Sequence, residues 1–257
     1  MKKVIINADD FGYSSTVTRG IFKAFQEGLV SSTTLMANMP GRDEAIQLAK
    51  ENPELGVGAH LVLTCGRPMS ARKSLTTEEG KFYRLADYPV ARKKMLDQEI
   101  YEEWSSQIDY LLNAGVALTH LDSHHHVHSF PENECIVLEL ANKYHLTFRN
   151  YDGLEERVKL PNQQGIRGFA DLMNYPFIRN MEKSYEIVKE DCYKEIQKVL
   201  DNVTEDVTEL MVHPAFIDEA LYFGSSFNLQ RMREVEILTD PKVKEMFEAN
   251  ELEIIHY

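Results

Sequence analysis

Apolar positions fall into two patterns, short β-branched runs and longer stretches repeating every three to four residues, and the predicted elements succeed one another as strand, helix, strand. Residues 3–7 read as a short buried strand that delivers Asp9 and Asp10 to its carboxyl end. Ser14 or Ser15 is placed to cap a helix carrying Val17, Ile21, Ala24 and Phe25, which Gly28 closes. Residues 29–37 form a second strand, and Ala45, Leu48 and Ala49 mark a short helix ended by Pro53. In the third strand, 55–64, Leu55, Val57, Ala59, Leu61 and Leu63 share one face. His60 lies on the other face with Gly56 and Gly58, two glycines that leave room beside it.

Ile100, Trp104, Ile108 and Leu111 form a helical stripe that leads into a strand ending near His124. A helix runs from Pro131 to about residue 143, and the short strand 146–148 presents Arg149. The helix 184–201 precedes a strand at 210–212, which delivers His213 and Pro214. Helical segments over 231–250 and a strand at 252–255 complete the pattern. Two irregular polar excursions interrupt it: 65–97, read as a lid or substrate-binding segment, and 151–180, with Gly153, Pro161, Gly165, Gly168 and Pro176. Alternation without an internal repeat predicts a single α/β domain over residues 1–257, built on a barrel-like (β/α) sheet.

The histidines change this from a fold prediction to a chemical one. Five of the nine lie between His120 and His128, with Asp122 among them. On a strand, His120, Asp122 and His124 share a face, and the later histidines pass into a loop. Asp9, Asp10, His60, His124, Arg149 and His213 thus all stand at strand ends, where α/β enzymes keep their chemistry. A metal with an open coordination position needs about three protein ligands. One carboxylate of the Asp9–Asp10 pair, His60 and one histidine of the cluster would supply them, leaving the second aspartate as general base. His213, held extended by Pro214, is the candidate general acid. Together these parts predict hydrolysis of an amide or ester.

Composition narrows the partners. A formal charge of −13 with no extended basic run argues against nucleic acid. No stretch reaches the ~20 apolar residues of a membrane span. Val4-Ile5-Ile6 is too short for a signal-peptide core, and the widely spaced Cys65, Cys135 and Cys192 fit reduced thiols, so a cytoplasmic protein is expected.

The motifs Asn7-Ala8-Asp9-Asp10-Phe11-Gly12, 58–64, 119–128 and His213-Pro214-Ala215-Phe216 closely resemble the YdjC-like carbohydrate deacetylases, which include the chitooligosaccharide deacetylases. The resemblance implies a distorted (β/α) barrel, a homodimer, and removal of acetyl groups from N-acetylated sugars such as chitooligosaccharides, in some cases 6-phosphorylated. It also implies a divalent metal, usually magnesium, although two imidazoles and a carboxylate suit zinc, manganese or cobalt as well. Carried over by position, Asp10, His60 and His124 become the metal ligands, Asp9 the base and His213 the acid. Asp122, His126, His128 and Arg149 fall around them, behind the ligands or against substrate.

Two other readings compete. A barrel-type amidohydrolase or phosphoesterase would use His126 and His128 as an H-x-H ligand pair, and a sugar-binding protein would hold metal and sugar without turnover.

Overall fold

The computed structural model describes residues 1–159 and 165–257. Its strands are β1 (Lys2–Phe11), β2 (Ser32–Leu35), β3 (Gly56–Leu61), β4 (Leu118–Ser123), β5 (Thr147–Phe148), β6 (Gly168–Asp171), β7 (Val207–Val212) and β8 (Leu252–Ile255). All their pairings are parallel. The order is β5-β4-β3-β2-β1-β7-β6, with β8 added against β1. Among the described residues β5 and β6 do not pair, so the sheet curves into a barrel left open between them.

Helices fill the crossovers: α1 (Ser15–Gln26) and α2 (Arg42–Glu51) follow β1 and β2, while α3 (Tyr88–Arg92) and α4 (Asp97–Asn113) precede β4. Beyond it come α5 (Glu134–Tyr144), α6 (Leu154–Val158), α7 (Pro176–Arg179) and α8 (Tyr185–Asp201). Between β7 and β8 lie α9 (Glu219–Gly224), α10 (Gln230–Thr239) and α11 (Pro241–Ala249). No helix among the described residues is long and apolar enough to cross a membrane.

The two faces of the sheet differ in chemistry. Val4, Ile6, Ala8, Val57, Ala59, Leu61, Leu121, Leu210 and Val212 join the main apolar core. The residues between them, Asn7, Asp9, His60, His120, Asp122 and Glu209, are equally buried but polar, and belong to the barrel interior. The alternation read in β3 therefore holds. The room expected beside His60 does not: the His120 ring fills the space over Gly58, where a Cβ would come within 2.6 Å of it.

Expected boundaries move both ways: β1 and β7 extend beyond 3–7 and 210–212, carried by their pairing with each other, while other strands contract. The second strand is only Ser32–Leu35 and the third only Gly56–Leu61, since neighbouring strands pair over just these lengths. Ser14 caps α1, its side chain accepting the Val17 N–H. The excursion expected over 151–180 contains a strand, β6, and Pro161 lies outside the described residues. β8 pairs with residues 2–5 of β1, whereas β2 pairs from Asn7 onward on the same strand. Ser31 bridges the junction, its Oγ accepting the Ile6 N–H and donating to the Ile255 carbonyl.

Candidate active site

The site begins with a break in β1. The β1–β2 register shifts between Ala8 and Phe11, and Asp10 adopts a left-handed conformation, φ 74°. Adjacent residues on a regular strand point to opposite faces, and a bulge re-aims one of them. Asp9 and Asp10 accordingly both line one cavity of about 410 Å3 with His60, His124 and His213.

Each carboxylate has a fixed partner. Arg149, fully buried just beyond β5, grips Asp9 with two nitrogens, Nη1 to Oδ2 at 2.7 Å and Nη2 to Oδ1 at 2.6 Å. Its Nε donates to Glu209 at 2.8 Å, and Nη1 lies 3.0 Å from Asp122. Arg149 is thus committed to carboxylates inside the barrel and not available to substrate. On His60, Nδ1 meets Asp122 Oδ1 at 2.6 Å, and Thr34 Oγ1 donates to the other Asp122 oxygen. That arrangement turns His60 Nε2 toward Asp10. His124 Nδ1 lies 2.9 Å from Asp10 Oδ1.

β4 ends at Ser123, and a 3-10 segment, His124–Ser129, follows with left-handed backbone at His125 (φ 60°) and His126 (φ 55°). Two such residues in succession are strained, and the strain lets consecutive histidines face the cavity. His125 meets Thr64 Oγ1, while His126 stacks on Tyr151 with ring centroids 3.7 Å apart. His128 is buried away from substrate, between Ser123 Oγ and the Arg149 carbonyl. At the end of β7 the His213 N–H donates to the Glu234 carboxyl, and its Nε2 stands 4.0 Å from Asp9 Oδ2. Gly20 lets α1 approach this turn, since a Cβ there would come within 2.5 Å of the Ala215 backbone.

Asp9, Asp10, Asp122 and Glu209 converge on the guanidinium groups of Arg149 and Arg231, and the imidazoles of His60, His124 and His213 stand within 4.0 Å of Asp9, Asp10 or Asp122. Burial opposes the His60 cation, yet the Asp122 carboxylate and contact with Asp10 raise its pKa to about 10. Burial also disfavours the Asp10 anion, and His124 and Arg231 outweigh it, holding the group well below the usual carboxylate range. His213 is pushed down to about 4 by burial, against the pull of Asp9.

Asp10, His60 and His124 offer ligand atoms all within 4.8 Å of one another. His60 Nε2 and Asp10 Oδ2 are buried without a hydrogen-bond partner, a costly state that a bound cation relieves. Arg231 Nη2 is 2.8 Å from Asp10 Oδ2, an ion pair that does not meet hydrogen-bond geometry, so the oxygen remains unsatisfied. A second group, Asp9, His60 and Asp122, has its carboxylates occupied by Arg149. Among the described residues neither group includes His126 or His128, which counts against the H-x-H ligand pair.

Arg231, Glu209, Thr34 and Asp171 also build the site, and sequence reasoning missed them. Glu209 carried a signal, a charge directly before the apolar run Leu210-Met211-Val212. Arg231 carried none, since an arginine opening a helix ordinarily faces solvent.

The family model described as YdjC-like protein matches residues 3–249. A carbohydrate deacetylase of Brevibacillus brevis is 40% identical over 265 residues, covering 99% of this chain and 98% of its own. One from Vibrio cholerae is 36% identical over 255 residues, covering 99% and 95%. A crystal structure from Enterococcus faecalis, described as a candidate cellobiose-phosphate cleavage protein, matches at a TM-score of 0.84 and 34% identity, covering 100% of this chain and 97% of that one. A lactam utilization protein from Thermus thermophilus shares the fold, with a TM-score of 0.53 and 18% identity, covering 99% of this chain and 100% of that one.

Proposed function

The chain belongs to the YdjC-like family, and from that premise we propose that it is a metal-dependent carbohydrate deacetylase, removing N-acetyl groups from short oligosaccharides, chitooligosaccharides foremost, and releasing acetate. The observation that carries this reading is a cluster of Asp10, His60 and His124 in one cavity with an arginine-held carboxylate, Asp9, and an imidazole, His213. Asp10, His60 and His124 would hold a divalent cation, magnesium first, with zinc, manganese or cobalt as alternatives. When bound, that ion polarises the acetyl carbonyl and acidifies a water. Asp9, ionised and oriented by Arg149, accepts the water proton. His213 Nε2, 4.0 Å from Asp9 Oδ2, can receive that proton and pass it to the departing amine nitrogen. Its low pKa makes the protonated ring a strong acid, suited to releasing a proton as the C–N bond breaks.

The cavity's flanks support an oligosaccharide with an anionic group. Leu85, His124, His125, Ser225, Ser226 and Arg231 are shared with an adjoining cavity of about 560 Å3. That cavity adds Lys81 and Arg84 and, among the described residues, has no carboxylate in its lining, unusual in a chain of formal charge −13. A 6-phosphate on the sugar is the substituent we propose for it. The excursion over 65–97 thus reaches the site through Lys81, Arg84 and Leu85. On the other side Tyr151 and Asp171 also line a groove of about 720 Å3 bearing Phe169 and Tyr175, aromatic surface for further sugar units.

The test is acetate release from N-acetylated chitooligosaccharides, with and without a 6-phosphate, by protein stripped of metal and resupplied with magnesium, zinc, manganese or cobalt. Metal-dependent release is expected, with Lys81→Ala and Arg84→Ala raising KM for the phosphorylated form only. Absence of release in every combination, with metal binding intact, overturns the assignment.

A further inference from the structure

Inside the barrel a line of buried contacts runs from Asp9 back to Tyr257. Gly58 leaves a space that the His120 ring occupies. Tyr257, two residues beyond β8, stacks on that ring with centroids 3.5 Å apart and planes 11° from parallel. Its backbone N–H donates to Ser32 Oγ at 3.0 Å, and its side chain sits beside Ile5 and Ile166. The Tyr257 hydroxyl donates to Glu209 Oε2, and Glu209 Oε1 accepts from Arg149 Nε at 2.8 Å with Nη2 2.7 Å away in the same ion pair. Arg149 in turn holds both oxygens of Asp9.

Each link is buried: Tyr257 is 4% exposed, Glu209 1% and Arg149 0%. A guanidinium gripping a carboxylate with two nitrogens must lie in its plane, and the third nitrogen, Nε, fixes rotation about that grip. Here Nε is fixed by Glu209, and Glu209 by one side-chain hydroxyl, that of Tyr257. We propose that Tyr257 is a positioning residue for the reaction, setting Asp9 through Glu209 and Arg149 while touching neither substrate nor metal ligand. This inference rests on the deacetylase reading, in which Asp9 is the base. It also gives β8 a role beyond completing the sheet, because β8 carries Tyr257 into the barrel.

Tyr257→Phe is the discriminating variant, since it keeps the ring on His120 and removes only the hydroxyl. Two readouts are compared with wild type in metal-loaded protein: kcat and KM for acetate release, and the 15N NMR signal of the Arg149 Nε–H. A charge-assisted hydrogen bond of about 1.4 kcal/mol corresponds to about tenfold. The expected result is kcat lowered about tenfold, KM and metal affinity within twofold of wild type, and a shifted or broadened Nε–H signal. Glu209→Gln should move the same signal and lower kcat in the same way. An unmoved signal in Tyr257→Phe overturns the proposal, and so does a drop in kcat accompanied by equal loss of metal affinity. If the wild type itself releases no acetate, the deacetylase reading fails, and the NMR signal still decides whether Tyr257 holds Arg149.

Discussion

At the scale of single residues, the site depends on two neighbouring aspartates doing different things, and the backbone explains how they can. Asp10 sits in the left-handed region where the β1–β2 register slips, so both side chains enter one cavity with different partners. Asp9 faces Arg149, while Asp10 faces His60 and His124. The division predicts a separation of functions. Asp9→Asn keeps the size of the side chain and removes its charge, so kcat should fall about 10²- to 10⁴-fold while metal affinity stays within a few-fold. Isothermal titration with cobalt alongside steady-state kinetics checks this, and a parallel collapse of cobalt affinity would move Asp9 into the ligand set. The motif Asn7-Ala8-Asp9-Asp10 was legible as chemistry, but the assignment within the pair was not, because it is made by a backbone irregularity and by an arginine 140 residues away.

At the scale of elements, strands were legible where a short apolar run or a clear alternation led into polar residues, as in β1, β3 and β7. β6 was hidden, because its four residues are only half-buried and lack the apolar run that marks an interior strand. The connection from β7 to α10 holds a further element-level device that no periodicity could reveal. Glu234 on α10 is fully buried, receives the His213 N–H with one oxygen, and leaves the other unpartnered. Burial raises its pKa to about 8, against the opposing effects of the His213 N–H and Arg231. Its ordinary value is 4.5, so between the two the native chain holds a proton that the unfolded chain has lost. That contribution to stability is complete below the lower value and disappears as pH rises through about 8. Glu234→Gln keeps a neutral acceptor for His213 and cannot ionise. Denaturant unfolding at pH 5 and pH 9 should therefore show the variant gaining on wild type at pH 9 by on the order of a few kcal/mol. Parallel pH profiles for the two proteins would rule out Glu234 as the titrating group.

At the scale of the whole molecule, the barrel carries its polar groups inside and its apolar core outside, between sheet and helices. Such an interior is costly unless its buried polar atoms are satisfied, and His60 Nε2 and Asp10 Oδ2 are not. A divalent cation on Asp10, His60 and His124 would satisfy both atoms and tie together the ends of β1, β3 and β4. Strand-end placement singled out one aspartate of the pair, His60 and one histidine of the run, and the family resemblance chose Asp10 and His124; the unsatisfied atoms emerge only once the fold brings the ends of β1, β3 and β4 together. Binding that stabilises only the folded chain contributes about 2.7 kcal/mol at a hundredfold excess of metal over Kd. For a chain of this size that corresponds to about 5–10 °C in Tm. Calorimetry of chelator-treated protein should show a rise of this size on adding back one of magnesium, zinc, manganese or cobalt. His60→Ala should abolish the rise by removing a ligand, and His126→Ala should leave it in place because that ring packs on Tyr151 and Phe169 and belongs to neither candidate ligand group. If the response followed His126 instead, the cation would belong to the H-x-H pair, and His60 Nε2 and Asp10 Oδ2 would need another partner.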